Sequence, residues 1–183
     1  MKTSYIFLAN GFEEIEALTV VDLLRRDNID IKMVSTDGSE YVTGSHGIYV
    51  KTDMGIDEVN EKDAEMYVLP GGMPGSENLY NSEKVKALVM KGNEDGKRIA
   101  AICAAPGIIG RWGLLKGKKA VCFPGNEEKL VGAEVLYEEV VTDGNITTSR
   151  GMGTSIAFGL ELIRLLDSEK VSGELKERII YRV

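Results

Sequence analysis

A run of four small or β-branched apolar residues, Ile99-Ala100-Ala101-Ile102, stops at Cys103, and Pro106 follows three residues on. The turn signal Asp95-Gly96-Lys97 bounds the run upstream, so it reads as a strand buried on both faces, as in a parallel sheet. Proline suits the first turn of a helix, where a missing N–H leaves no bond unmade. Cys103 is therefore predicted at the corner between strand and helix, at the carboxyl edge of the sheet, as the cysteine counterpart of a serine nucleophile elbow. Unpaired N–H groups and partial positive charge at a helix start favour an anion, which predicts a lowered thiol pKa and a thiolate. The same residue also fits as a small buried hydrophobe, because a free cysteine packs well in an apolar strand.

The rest of the chain alternates between strand and helix. Tyr5–Ala9 reads as a strand, and Glu13 to about Asp27 as a helix with Ala17, Val20, Val21 and Leu24 on one apolar stripe. Glu13, Glu14 and Glu16 crowd its first turn, where carboxylates suit the helix dipole. Ile29–Ser35 is a second strand. Glu40–Thr43 and Gly47–Val50 form a small hairpin around Gly44-Ser45-His46-Gly47. Met66–Leu69 is a further buried strand, ended by Pro70-Gly71-Gly72-Met73-Pro74-Gly75, a loop whose backbone N–H groups can approach a ligand closely. Ser82 is an N-cap for a helix over Glu83–Glu94.

The helix after Cys103 is expected to end near Leu114–Gly117, and Lys119–Phe123 to form a short strand. Glu134–Val141 and Asn145–Thr148 flank the hairpin signal Asp143-Gly144. Ile156, Leu160, Ile163 and Leu166 share one helix face, and Ser168–Tyr181 closes the chain as a helix. Strands alternating with helices imply an α/β fold with a mainly parallel sheet covered on both faces.

At 183 residues, without repeats or linkers, the chain reads as a single domain over residues 1–183. A net charge of −7 argues against nucleic acid or an anionic membrane as partner. No apolar span is long enough to cross a bilayer, and no leader peptide precedes the first strand. Two cysteines build no disulfide framework, and Cys103 and Cys122 fit no zinc-ligand spacing, so no metal is expected and a reducing cytoplasm is. Cys122 is read as core packing. His46 is the only histidine, which excludes any mechanism needing two imidazoles.

Four stretches, taken together and in order, point to a family: Gly11-Phe12-Glu13-Glu14-Ile15-Glu16-Ala17, Val68-Leu69-Pro70-Gly71-Gly72, Ala100–Pro106 and Thr148-Ser149-Arg150-Gly151-Met152-Gly153-Thr154. With these the chain resembles the ThiJ/PfpI superfamily, in the branch of the Parkinsonism-associated deglycase and its bacterial relatives. The resemblance implies a flavodoxin-like three-layer sandwich and a homodimer. It makes Cys103 the nucleophile and Glu16 the carboxyl group that approaches its sulfur. It also makes the backbone N–H groups of Gly72 and Ala104 oxyanion donors, and Arg150 the arginine at the pocket mouth. His46 falls near a family position often held by arginine, close to the dimer interface, from which it would contact substrate.

A carboxyl beside the sulfur makes physical sense only when protonated, since an ionised one would oppose a thiolate. Two departures matter. Ala104 stands where peptidase-type members carry a histidine, which removes a Cys-His protease reading. Phe123, ahead of Pro124, stands where several members of the branch carry a histidine. The resemblance implies cofactor-free glyoxalase or deglycase chemistry on a small reactive carbonyl or a glycated substrate. The alternative is a non-enzymatic redox-sensing or protective protein acting through oxidation of Cys103.

Overall fold

The computed structural model describes residues 2–182. In chain order, strand β1 (Thr3–Leu8) leads into helix α1 (Glu14–Arg26) and strand β2 (Ile31–Ser35). Next come β3 (Tyr41–Thr43), β4 (Tyr49–Lys51), β5 (Met54–Gly55) and β6 (Ala64–Leu69). Helices α2 (Gly75–Tyr80) and α3 (Glu83–Glu94), strand β7 (Arg98–Ile102) and helix α4 (Pro106–Arg111) follow. Strands β8 (Lys119–Ala120), β9 (Glu134–Val135), β10 (Val140–Asp143) and β11 (Ile146–Ser149) precede helices α5 (Ser155–Leu166) and α6 (Glu169–Arg178).

Seven strands form one sheet in the order β10-β11-β7-β6-β1-β2-β5, parallel except for β10, which runs antiparallel to β11. Side chains of a strand alternate between faces, and the two cores show it. Tyr5, Phe7, Tyr67, Leu69, Ile99 and Ala101 pack with Val85, Val89, Ile108 and Ile109 of α3 and α4. Ile6, Leu8, Met66, Val68, Ala100 and Ile102 pack with Val20, Leu24, Phe158 and Leu162 of α1 and α5. The result is the flavodoxin-like three-layer arrangement. After β1 the chain moves to β2 on one side, then returns to β6 on the other, so the strand order reverses at β1. In open α/β sheets, crevices for ligands open at the carboxyl ends beside such a reversal.

Most expected elements are found. Ser82 caps α3 by accepting the Val85 N–H at 3.3 Å, and β3 and β4 pair antiparallel around the 44–47 turn. The exceptions have local causes. Helix α4 stops at Arg111, and a left-handed Gly113 follows. Only Lys119–Ala120 of the expected 119–123 strand forms a ladder, with β9. Beyond it the Val121 N–H goes to Thr148 Oγ1 (3.0 Å) and the Phe123 N–H to the Cys103 carbonyl (2.8 Å). The expected 134–141 strand splits into β9 and β10, and helix α2 replaces the end of a stretch read as loop. On α5 the buried face centres on Phe158, Gly159, Leu162 and Ile163, while Ile156 faces outward. There Gly159 leaves room for Leu23 of α1 to approach closely.

Candidate active site

Cys103 ends β7 with a left-handed backbone, φ +66°, a conformation that strains a residue with a Cβ by about 1–2 kcal/mol. Its N–H is tied to the Ser149 carbonyl of β11 (3.0 Å) and its carbonyl accepts the Phe123 N–H, so neighbours on both sides hold the turn. Strand alternation would send its side chain to the face of Ile99 and Ala101. The turn instead aims it to the α1 side, where it packs half-buried against the core of Ala100 and Ile102.

Glu16, one turn into α1, is 1% exposed. The Gly71 N–H donates to its Oε2 at 2.8 Å, and that oxygen and the Cys103 sulfur lie 2.5 and 3.1 Å from the point where a Cβ on Gly71 would stand. The backbone N–H groups of Gly72 and Ala104 act on the sulfur in the sense that favours its ionised form. Thus Glu16, the Gly71-Gly72 loop and the Cys103-Ala104 corner, three places far apart in sequence, meet at the carboxyl ends of β6 and β7.

The electrostatics differ from the sequence-based expectation. Burial raises the Glu16 carboxyl to about 7, against the hydrogen bonds from Cys103 and Gly71. Burial, and then the charge on Glu16, push the Cys103 thiol above its ordinary value, opposed by the N–H groups of Ala104 and Gly72. The expected lowering by a helix start fails for a geometric reason. α4 is six residues long and begins three residues beyond the sulfur, at Pro106. The site therefore works as a coupled pair: a thiolate is tolerated when Glu16 keeps the proton and donates it to the sulfur.

This coupling has a measurable consequence. Glu16 binds its proton more tightly in the folded chain, so its contribution is full below the ordinary value of 4.5 and is lost as pH rises through about 7. Glu16→Gln keeps an acceptor for Gly71 and a donor for sulfur without titrating. It is expected to shrink the difference in unfolding free energy between about pH 5 and about pH 8.5 by about 2–3 kcal/mol. Urea unfolding at both pH values reads this, and an unchanged difference would contradict a raised Glu16 pKa.

Arg150 follows β11 directly, and the register pairs Ser149 with Ile102, so Arg150 lies beside the elbow. Its Nη1 is 3.4 Å from the Tyr137 carbonyl, and its buried Nε has no partner among the described residues. Cys122 is 4% exposed and burial pushes its thiol up to about 11, in keeping with core packing.

His46 is not drawn to the sulfur by any hydrogen bond of this chain. Its Nδ1 lies 2.9 Å from Glu14 Oε2 and 3.1 Å from Ser45 Oγ, and its backbone N–H donates to Glu14 Oε1 at 2.7 Å. Burial alone would raise Glu14, but the His46 side chain and the backbone N–H groups of His46 and Ile48 outweigh it and hold Glu14 at about 2. The three first-turn glutamates are therefore not equivalent dipole partners, since Glu14 and Glu16 are both buried. Glu13, Glu14 and His46 offer ligand atoms within 4.8 Å of one another, but these groups already bond to each other.

One residue escaped the sequence reading, and a second was marked by the resemblance without its contact. Gly71 is the one that bonds Glu16. The Gly-rich loop signalled a close backbone approach without saying to what. Phe123 borders the sulfur: its ring edge and the sulfur lie 3.2 and 4.0 Å from the point where a Cβ on Gly151 would stand. The resemblance marks this position as one where relatives carry a histidine, without saying how near the sulfur the ring stands.

Comparison with known proteins fits this geometry. The DJ-1/PfpI family model matches residues 2–165. Protein DJ-1 homolog B of Arabidopsis thaliana is 40% identical over 183 residues, covering 97% of this chain and 42% of its own length. The chain thus spans less than half of that relative. Deglycase PfpI of Pyrococcus furiosus is 34% identical over 160 residues, 86% of this chain and 95% of its own. The solved structure of oxidized Toxoplasma gondii DJ-1 superposes with a TM-score of 0.95 at 32% identity, covering 100% of both chains.

Proposed function

Because this chain belongs to the DJ-1/PfpI family, we propose that it is a cysteine-dependent, cofactor-free enzyme acting on reactive carbonyls, of the glyoxalase or deglycase kind. The observation that carries the reading is the Cys103–Glu16 pair, whose sulfur and carboxyl oxygen flank one point beside Gly71 at 3.1 and 2.5 Å, with burial raising the carboxyl to about 7. A carboxyl poised near neutrality can both give and take a proton. The name of the Pyrococcus relative supports the substrate class.

With methylglyoxal, the Cys103 sulfur bonds the aldehyde carbon and the carbonyl oxygen takes up the proton, giving a hemithioacetal. The N–H groups of Gly72 and Ala104 steady the negative oxygen as it forms. Ionised Glu16 then removes the hydrogen from that carbon as a proton, leaving an enediol, and returns it to the neighbouring carbon, while the hydroxyl proton of the first carbon passes to the oxygen of the second. The first carbon is oxidised to a thioester and the second reduced to an alcohol, so no outside oxidant is needed. Water cleaves the thioester, releasing lactate and the thiol. The unpaired buried Nε of Arg150 supports a role in holding the product carboxylate. The purified protein is expected to form lactate from methylglyoxal without added glutathione or metal. Absence of lactate would overturn the reading.

The exposed Ile15 and Ile48, with Ile156, line one groove beside α1, which supports a homodimer through this face and would place His46 beside the interface. Sedimentation at about twice the 20.0 kDa chain mass is the expected result, and a monomer at micromolar concentration contradicts it. Two unpaired cysteines support a reducing compartment, the cytoplasm. The net charge of −7 supports the absence of a nucleic-acid partner. Among the described residues no helix is long and apolar enough to cross a membrane.

A further inference from the structure

Beside Cys103 stands an aromatic ring that the reaction above does not use. The Phe123 ring is 49% exposed although its backbone is anchored by the bond from its N–H to the Cys103 carbonyl. Its Cδ2 and Cε2 stand 3.2 and 3.7 Å from the point a Gly151 Cβ would occupy, and the Cys103 sulfur stands 4.0 Å from the same point. Ring and sulfur thus flank the same point beside Gly151. Met73, following Gly72, and Met152, following Gly151, are both exposed. Thioether side chains adapt to varied apolar shapes. A phenyl ring neither donates, accepts nor titrates, so what it offers a bound molecule is apolar and aromatic contact.

We propose that Phe123 is a specificity-determining residue that favours α-oxoaldehydes carrying an aryl or other bulky apolar group over methylglyoxal. The inference rests on the carbonyl reading above and names its substrate class. An aldehyde bonded to the sulfur projects its substituent away from the Gly72 and Ala104 amides, and the Phe123 face is the apolar surface tied to the elbow itself.

The test compares kcat/KM for phenylglyoxal and methylglyoxal in the wild type, Phe123→Ala and Phe123→Leu. The ratio cancels the intrinsic reactivities of the two aldehydes. It is expected to fall about five- to tenfold in Phe123→Ala and less in Phe123→Leu. A ratio unchanged by Phe123→Ala, with methylglyoxal still turned over, overturns the proposal. A second measurement does not depend on turnover: the rate of Cys103 alkylation by phenacyl bromide relative to bromoacetone, followed by mass. Phe123→Ala is expected to lower that ratio by a similar factor, and an unchanged ratio again overturns the proposal. If neither aldehyde is turned over, the enzymatic reading falls and substrate selection with it. The alkylation ratio then decides whether an aryl group is held beside the sulfur.

Discussion

Cys103→Ser is expected to lower lactate formation from methylglyoxal at least ~10³-fold while leaving the thermal midpoint nearly unchanged. Serine is a poor nucleophile unless an adjacent base takes its proton, and no such base stands here. Ala104 occupies the next position, and the only histidine, His46, is bonded to Glu14. Glu16, raised to about 7, holds its proton when attack begins, so it has no place for the proton of a serine hydroxyl. The fold is spared because the side chain is half-buried at a turn held by backbone bonds to Ser149 and Phe123. Lactate measured without added thiol or metal reads the effect, and equal turnover by the two proteins would remove Cys103 from the mechanism. Where the wild type itself makes no lactate, mild peroxide decides for the redox alternative if it adds two oxygens to Cys103 and spares Cys122.

Gly71→Ala is expected to cost about 10²-fold in turnover and about 1–3 kcal/mol in stability. The added methyl would stand 2.5 Å from Glu16 Oε2, 2.7 Å from Cys103 Cβ and 3.1 Å from its sulfur. None of these is the loose end of a flexible chain: Glu16 is buried, and the Cys103 Cβ is fixed by the elbow. Relief therefore comes from moving the carboxyl off the sulfur, or from breaking the Gly71 N–H bond to it and leaving a buried acid less satisfied. Gly173→Ala, where nothing lies within 4 Å of the new methyl, serves as control and is expected to leave turnover intact. Wild-type turnover in Gly71→Ala would show that close contact between Glu16 and Cys103 is not needed.

The local rules carried far because they concern neighbours along the chain. The apolar run before Cys103, Pro106 at a helix start, the Ser82 cap and the Asp143-Gly144 turn were all legible and all lie where those rules put them. The rules failed where a backbone group found a partner from elsewhere. Val121 and Phe123 leave the strand pattern because Thr148 and Cys103 take their N–H groups. Helical periodicity alone did not distinguish Glu16 from Glu13 or Glu14, and it was the family resemblance that did so.

What the sequence by itself determined is the succession of strands and helices and the sharp corner at Cys103, because periodicity, capping and turn chemistry act over a few residues. Only the tertiary structure decided how the Glu16 carboxyl is held, by the Gly71 N–H across 55 residues, and that the Phe123 ring and the sulfur flank the same point beside Gly151. It also reversed the sign expected for the thiol, because a pKa is set by burial and by charges through space. Those are properties of neighbours that a chain acquires only when it folds.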